Sequence, residues 1–289
     1  MSNIGLIIEE RTRDIGDFIV GRLIPFRKKR MIGPFIFIDH MGPTILGPNH
    51  YLDVDQHPHI GLSTLTFMLE GEILHEDSIG TKQVIKPGDV NWMVAGKGVS
   101  HSERTPEHLR NGTSFTAHGY QIWIALPKAL EDIAPEFHHF KNNDLPSWKQ
   151  ESATFKLIAG NGYGRKSPVP VHSELFMIEV KNTDAFHLNT KDHLKGEIGI
   201  CIVKGSINAC GEEIQKGNIV VSKVEDTCKT IINPNSHLLL FGGIPFSEKR
   251  HIYWNFVSTA KEKIEKAKAD WKNKTFPMMD NDDSYVPLP

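Results

Sequence analysis

Two short patterns, His57-Pro58-His59 and His101-Ser102-Glu103, each place two potential metal ligands at i and i+2. On a β-strand such side chains point to the same face. Two strands of this kind lying side by side bring three imidazoles and a carboxylate to one point. That donor set is a mixed N/O site with room for exogenous ligands, suited to Fe(II), Mn(II) or another first-row metal. Spacing alone does not single it out. Among 15 His and many acids, about three His-x-(His/Asp/Glu) matches arise by chance. The chain has four: the two above, His75-x-Asp77 and His172-x-Glu174.

The elements that must position these residues separate the four. His57-Pro58-His59 leads into Leu62-Ser63-Thr64-Leu65-Thr66-Phe67-Met68-Leu69, an apolar and β-branched strand. Pro58 has no N–H to donate, a loss that is tolerable near the start of a strand. His101-Ser102-Glu103 enters a strand after the turn at Gly96-Lys97-Gly98, so folding back of the intervening strands makes the two pairs neighbours. His75 and Asp77 sit beside the Gly80 turn and are expected to be solvated. His172-x-Glu174 precedes the core strands of the second half. Satisfied or surface histidines are the competing reading for every one of these residues.

Most of the chain reads as short strands punctuated by Gly and Pro, which indicates a β-sandwich or barrel. A degraded repeat runs through it. Phe67-Met68-Leu69-Glu70-Gly71-Glu72-Ile73, a turn, and Val84-Ile85-Lys86-Pro87-Gly88-Asp89-Val90 in the first half match the second half in order. The counterparts are Cys201-Ile202-Val203-Lys204-Gly205-Ser206-Ile207, Gly211, and Ile214-Gln215-Lys216-Gly217-Asn218-Ile219-Val220. This suggests two copies of one β-module. Aligning Gly71 with Gly205 sets His193 opposite His59 but Lys191 opposite His57, and no His-x-Glu follows Val220, so the second copy is expected to lack a metal site. A short helix is expected at Ala129–Ile133. A longer one is expected from about Ser258 to Lys272, capped by Ser258, with Val257, Ala260, Ile264, Ala267 and Trp271 on one stripe. The acid- and proline-containing tail from Phe276 is expected to lie extended on the surface or on a neighbouring module.

Across 289 residues, 33 Lys and Arg nearly balance 35 Asp and Glu. That balance argues against direct nucleic-acid binding or a grip on anionic membrane. No apolar stretch is long enough to span a bilayer, and the N-terminus does not read as a secretory signal. Cys201, Cys210 and Cys228 are read as free thiols in a reducing compartment, with a pair across the turn between Cys201 and Cys210 left open. A cytoplasmic monomer is the expectation.

The same residues resemble the pirin family of the cupin superfamily. The match runs from Gly33-Pro34-Phe35-Ile36-Phe37-Ile38-Asp39-His40 through His57-Pro58-His59-Ile60-Gly61, Leu69-Glu70-Gly71-Glu72 and His75-Glu76-Asp77-Ser78. It continues through Pro87-Gly88-Asp89-Val90-Asn91-Trp92-Met93 and Ala95-Gly96-Lys97-Gly98-Val99-Ser100-His101-Ser102-Glu103, and more loosely to Phe241-Gly242-Gly243-Ile244-Pro245-Phe246. The resemblance implies an all-β bicupin: two jelly-roll barrels with a C-terminal helix. Residues 1–130 would form the N-terminal barrel with the metal. Residues 131–289 would form a metal-free C-terminal barrel plus the helix and tail. It implies His57, His59, His101 and Glu103 as ligands, with Fe(II) the usual metal and another divalent first-row ion the alternative. The chain departs at Ser63, where better-known members carry a Glu near the pocket. Trp254-Asn255-Phe256-Val257-Ser258 and the helix after it mark a branch distinct from the animal proteins.

The resemblance also implies quercetin 2,3-dioxygenase activity, in which O2 opens the central ring of a flavonol with loss of carbon monoxide. Glu103 would then serve as ligand and as base for the 3-hydroxyl. Phe37, Phe67, Trp92 and Met93 are candidates for an apolar slot holding the planar substrate, against an ordinary core role for each. Two further readings stand beside it. One is an iron-dependent, redox-sensing regulatory module acting through a protein partner; the other is a different cupin activity on a small molecule, which Ser63 keeps open.

Overall fold

The computed structural model describes residues 4–14, 19–48, 50–222 and 230–289. The histidine-bearing half is built from β1 (Asp53–His59), β2 (Leu62–Glu70), β3 (Ile73–Asp77), β4 (Lys82–Ile85), β5 (Val90–Val94), β6 (Val99–Arg104), β7 (Phe115–Ala125) and β8 (Glu136–Phe140). One sheet has the order β1-β6-β3-β4; the other contains the run β8-β5-β2-β7. Their inner faces meet where Thr66 on β2 reaches Glu103 on β6, Trp123 on β7 packs its ring edge against His59 on β1, and Phe137 on β8 stacks on His75 on β3. The site therefore lies between two sheets, each side chain set by strand alternation.

The second half repeats the plan. Strands Ile4–Glu9, Asn218–Ser222, Glu197–Lys204, His237–Gly243, Leu175–Asn182, Ala153–Gly162 and Ser147–Gln150 follow one another across one sheet. Phe186–Leu188, Thr230–Ile232, Ser206–Ala209 and Glu212–Gln215 make the other. Between them lies an aliphatic and aromatic core that includes Phe155, Phe176, Ile178, Ile200, Ile207 and Leu240. The expected repeat has a backbone counterpart: Gly71 and Gly205 have φ of 74° and 75°, and Gly88 and Gly217 have 83° and 81°. The first pair is also sterically closed, because a Cβ at Gly71 would come within 2.5 Å of the Thr116 carbonyl oxygen and one at Gly205 within 2.2 Å of Ser236 Oγ.

The chain does not divide at a single point near residue 130. One compact unit holds Arg22–Phe37 and Asn143–Phe246 with the N-terminal strand; the other holds Ile38–Asn142 and Ser247–Pro289 with a short early piece. The C-terminal segment thus belongs with the histidine half. It has too few apolar residues to bury among themselves, so Phe256, Ile264, Ala267, Trp271 and Phe276 form a cluster with Ile60. The tail then runs along β1: the backbone N–H of Met279 donates to Gln56 Oε1 (2.8 Å), Gln56 Nε2 donates to the Asp282 carbonyl (2.9 Å), and the Val286 N–H donates to the Gln56 carbonyl (3.0 Å). Ser100 Oγ donates to the Pro277 carbonyl (2.7 Å), and Arg104 pairs with Asp282 (2.9 Å).

Three expectations are corrected. The helix, α1, spans Lys261–Lys272 and has Ala260 at its N-cap with no side-chain cap. Ser258 and Val257 belong instead to the strand Phe256–Ser258, where Ser258 Oγ accepts the Ala260 N–H (3.0 Å) and donates to Glu131 (2.7 Å). The short helix near Ala129 is a single 3-10 turn at Lys128–Leu130. Cys201 is a buried cysteine on a core strand, but Cys210, at a turn and away from the packed core, is disulfide-bonded. The set of three free thiols is thereby overturned, and so is a pair with Cys201; Cys228 lies outside the described residues. Among the described residues no helix is long and apolar enough to cross a membrane.

Trp271 is fully buried, stacks on Tyr285 (4.8 Å, 14°) and donates its indole N–H to the Val286 carbonyl (2.9 Å). Trp271→Ala is expected to cost about 3–5 kcal/mol, and the exposed Lys261→Ala no more than about 0.5 kcal/mol. Urea denaturation of both variants beside the parent protein checks this.

Candidate metal centre

Antiparallel pairing of β1 and β6 sets His57 opposite His101 and His59 opposite Val99. A register shift between His101 and Glu103 brings Glu103 opposite Val54. β1 is the edge strand of its sheet, which is where a proline without an N–H can be accommodated. Pro58 is thus next to last on an edge strand, not at the start of an inner one. His57, His59 and His101 are buried, and their ligand atoms lie within 4.8 Å of one another. His59 Nε2 and His101 Nε2 stand 3.1 Å apart. That is close to the edge length of a coordination shell with bonds of about 2.1 Å. The donor set fits a first-row metal: three imidazoles, buried, with nitrogens converging.

The electrostatics suit the same role. Burial lowers the His57 pKa to about 4, against a partial offset from its hydrogen bond to the Asp55 carbonyl. Burial first, and then repulsion from His57, holds His59 and His101 well below the ordinary histidine value. All three are therefore neutral at pH 7, the form that offers a lone pair. His57 Nδ1 lies 2.8 Å from the Asp55 carbonyl; a carbonyl only accepts, so the proton is on Nδ1 and Nε2 is free to ligate. Burial raises Glu103, against opposing contributions from nearby His75 and the Thr66 hydroxyl. Thr66 Oγ1 lies 3.3 Å from Glu103 Oε1 and 2.8 Å from Gln121 Oε1. One hydroxyl proton serves only one of them at a time, which leaves Glu103 lightly held.

Not all four expected ligands fall in one cluster. His57, His59 and His101 form one group; Glu103 falls in a second, with His101 and His75. His75 was expected in solvent and is not: it and Asp77 are 3% and 4% exposed. β3 lies beside β6 in the sheet, with Asp77 opposite His101 and His75 opposite Glu103. The i, i+2 spacing was the available signal. The adjacent Gly80 turn masked it, because that turn closes after Asp77 and leaves both side chains on the inner face.

Directly paired residues share a sheet face, which sorts the pocket candidates. Met93 pairs with Thr64, and Thr64 with Trp123; Asn91 and Gln121 pair with Thr66. Phe137 pairs with Met93. Met93 thus shares the inner face with Thr66, Trp123 and Phe137. Trp92 pairs with Leu65, two residues from Phe67; both Trp92 and Phe67 are fully buried on the opposite face. Ser63 lies on that opposite face too, paired with Val94 and Ile124. Phe37 belongs to the other compact unit, with the Arg22 guanidinium 4.5 Å from its ring centre.

Comparison with known proteins matches residues 17–124 to the family described as Pirin and residues 175–277 to the Pirin C-terminal cupin domain. A pirin-like protein of Caulobacter vibrioides is 41% identical over 99% of both chains. A Pseudomonas aeruginosa protein named "Putative quercetin 2,3-dioxygenase" is 39% identical over 92% of this chain and 82% of its own. The crystal structure of a quercetin 2,3-dioxygenase from Acinetobacter baumannii superposes with a TM-score of 0.90 at 33% identity, covering 98% of this chain and 94% of that one.

A histidine whose pKa is lower in the folded than in the unfolded state leaves the unfolded chain holding more protons between the two values. Stability then rises with pH across that window. For His57 the window runs from about 4 to the ordinary value of 6.5. The metal-free protein should keep its full stability from this source above pH 6.5 and lose it as pH falls toward 4. Denaturation midpoints measured through that range should show the slope, and His57→Gln should reduce it, leaving the share of His59 and His101.

Proposed function

The chain belongs to the pirin family, with a Pirin domain and a C-terminal cupin domain, and from that premise we propose that it is a metal-dependent dioxygenase of the quercetin 2,3-dioxygenase type. Its substrate would be a flavonol-like planar aromatic, opened by O2 with loss of carbon monoxide. The observation that supports this most is the buried, neutral trio His57, His59 and His101 with the protonatable Glu103 beside it. The naming of relatives as quercetin 2,3-dioxygenases supplies the reaction class.

His57, His59 and His101 would hold the metal, with Glu103 as a fourth, exchangeable ligand; iron is the metal of choice for reaction with O2. When bound, the metal supplies Lewis acidity toward the flavonol 3-hydroxyl and a one-electron path to O2. The protein's own contribution starts at Glu103. Desolvation makes its carboxylate a stronger base than an exposed one, suited to taking the 3-hydroxyl proton. Thr66 can turn its hydroxyl to the carboxylate when it is charged and to Gln121 when it is not, so the proton is received without leaving a charge unsolvated. The inner-face side chains Met93, Phe137 and Trp123 give the ring system apolar walls, and Trp123 also fixes the tilt of the His59 ring. The buried setting keeps water from the activated substrate.

Aerobic incubation of the iron-loaded protein with quercetin, followed at the flavonol absorbance band, tests the reading. Bleaching is expected, with kcat/KM lowered about 10²–10⁴-fold in Glu103→Ala. No bleaching above that variant overturns it.

A further inference from the structure

The chemistry proposed above makes no use of Asp77, although it is buried against the centre with His75. Their contacts form a directed chain. Asp77 Oδ1 accepts the backbone N–H groups of Ile79 (3.1 Å) and Thr81 (2.9 Å), which aims Oδ2 at His75 Nε2, 3.0 Å away. A carboxylate oxygen only accepts, so His75 carries a proton on Nε2, and the neutral ring presents its lone pair at Nδ1. That Nδ1 lies 3.3 Å from His101 Nδ1, so His101 must donate from Nδ1. The remaining lone pair of His101 is then on Nε2, the atom that faces His59 Nε2 at 3.1 Å. Phe137, stacked on His75 at 4.6 Å, keeps that ring from turning over.

We propose that Asp77 and His75 are positioning residues, an outer relay that locks His101 in the Nδ1–H tautomer and so sets how tightly the histidine centre holds a divalent cation. The inference rests on the reading of His57, His59 and His101 as a metal site. Metal-ligating histidines usually donate their second ring nitrogen to an acceptor that fixes tautomer and orientation, and loss of such a partner weakens metal binding by about 10- to 100-fold. Here the acceptor is a second histidine whose own tautomer is dictated by Asp77.

The logic predicts an unusual order of effects. In Asp77→Asn the amide oxygen must stay on the Ile79 and Thr81 N–H groups, so its NH2 meets His75 Nε2. His75 then moves its proton to Nδ1, opposes the His101 Nδ1–H, and drives the His101 proton to Nε2, where it blocks the metal. His75→Phe only removes an acceptor. The larger change His75→Phe should therefore weaken binding by the about 10- to 100-fold of a lost acceptor, and the nearly isosteric Asp77→Asn should weaken it more. A purely structural role for the pair predicts the reverse order.

Co(II) titration of the purified metal-free protein, read by its visible absorption and by competition with a chromophoric chelator, measures the affinities. One Co(II) per chain is expected, lost in His101→Ala. If His101→Ala binds Co(II) as the parent does, the metal reading itself fails. If His101→Ala loses Co(II) while Asp77→Asn keeps parental affinity, or if His75→Phe is the weaker binder of the two, the relay alone is overturned. A second Co(II) that disappears in His75→Phe also overturns it, by assigning His75, His101 and Glu103 to a separate site. A readout without variants is the long-range nitrogen NMR spectrum of the metal-free parent: His101 should be protonated on Nδ1, and protonation on Nε2 overturns the relay.

Discussion

The pairing of β1 with β6 is the constraint from which the site follows. In that register His57 stands across from His101, and alternation then turns His59 to the same face. A slip of β1 by one residue would present Pro58 to the inner face and carry His57 and His59 to the outer one, away from His101. The register is held from outside as well as inside. Gln56 and Ser100 point away from the histidines and are tied to the C-terminal tail through Met279, Asp282 and Pro277. The shift between His101 and Glu103 is the one departure from the ladder. It changes the aim of Glu103, which shares its neighbourhood with His75 as well as with His101.

Burying histidines in an apolar sandwich is affordable only while they are neutral. The interior meets that condition. Desolvation disfavours the charged rings and outweighs the opposite pull of the Asp55 carbonyl, which accepts the His57 Nδ1 proton. Fixed carboxylates are kept one step back: Asp77 meets the cluster only through His75, and its other oxygen is occupied by backbone N–H groups. A cation entering the cluster would therefore meet neutral nitrogens first, with one carboxyl group, Glu103, close by.

Much of this was legible in the sequence because it rests on short-range rules. Strand alternation, glycines after strands and Lys-Gly turns mark the two modules, and Gly71 and Gly205 take up nearly the same φ as their alignment implies. The histidine pairs were legible as i, i+2 patterns, though their number matched chance, and strand context together with the family resemblance separated them. What escaped depended on partners distant in the chain. The burial of His75 and Asp77 is decided by the neighbouring strand β6 and by Phe137, about sixty residues away in sequence. Ser258 looked like a helix cap because it precedes a helical stripe, but Glu131 draws it into a strand. Phe67 and Trp92 carry the right chemistry for an aromatic slot; alternation puts them on the face opposite Thr66.

The tail along β1 has a consequence for biosynthesis. All candidate ligands have left the ribosome once residue 103 has emerged, yet the partners of Gln56 and Ser100 lie between Pro277 and Val286. The outer surface of the histidine sheet is finished by residues made long after the last candidate ligand. A nascent chain long enough to contain the site therefore still lacks its cover. The order of synthesis thus separates the making of the candidate ligands from the closing of the sheet that carries them.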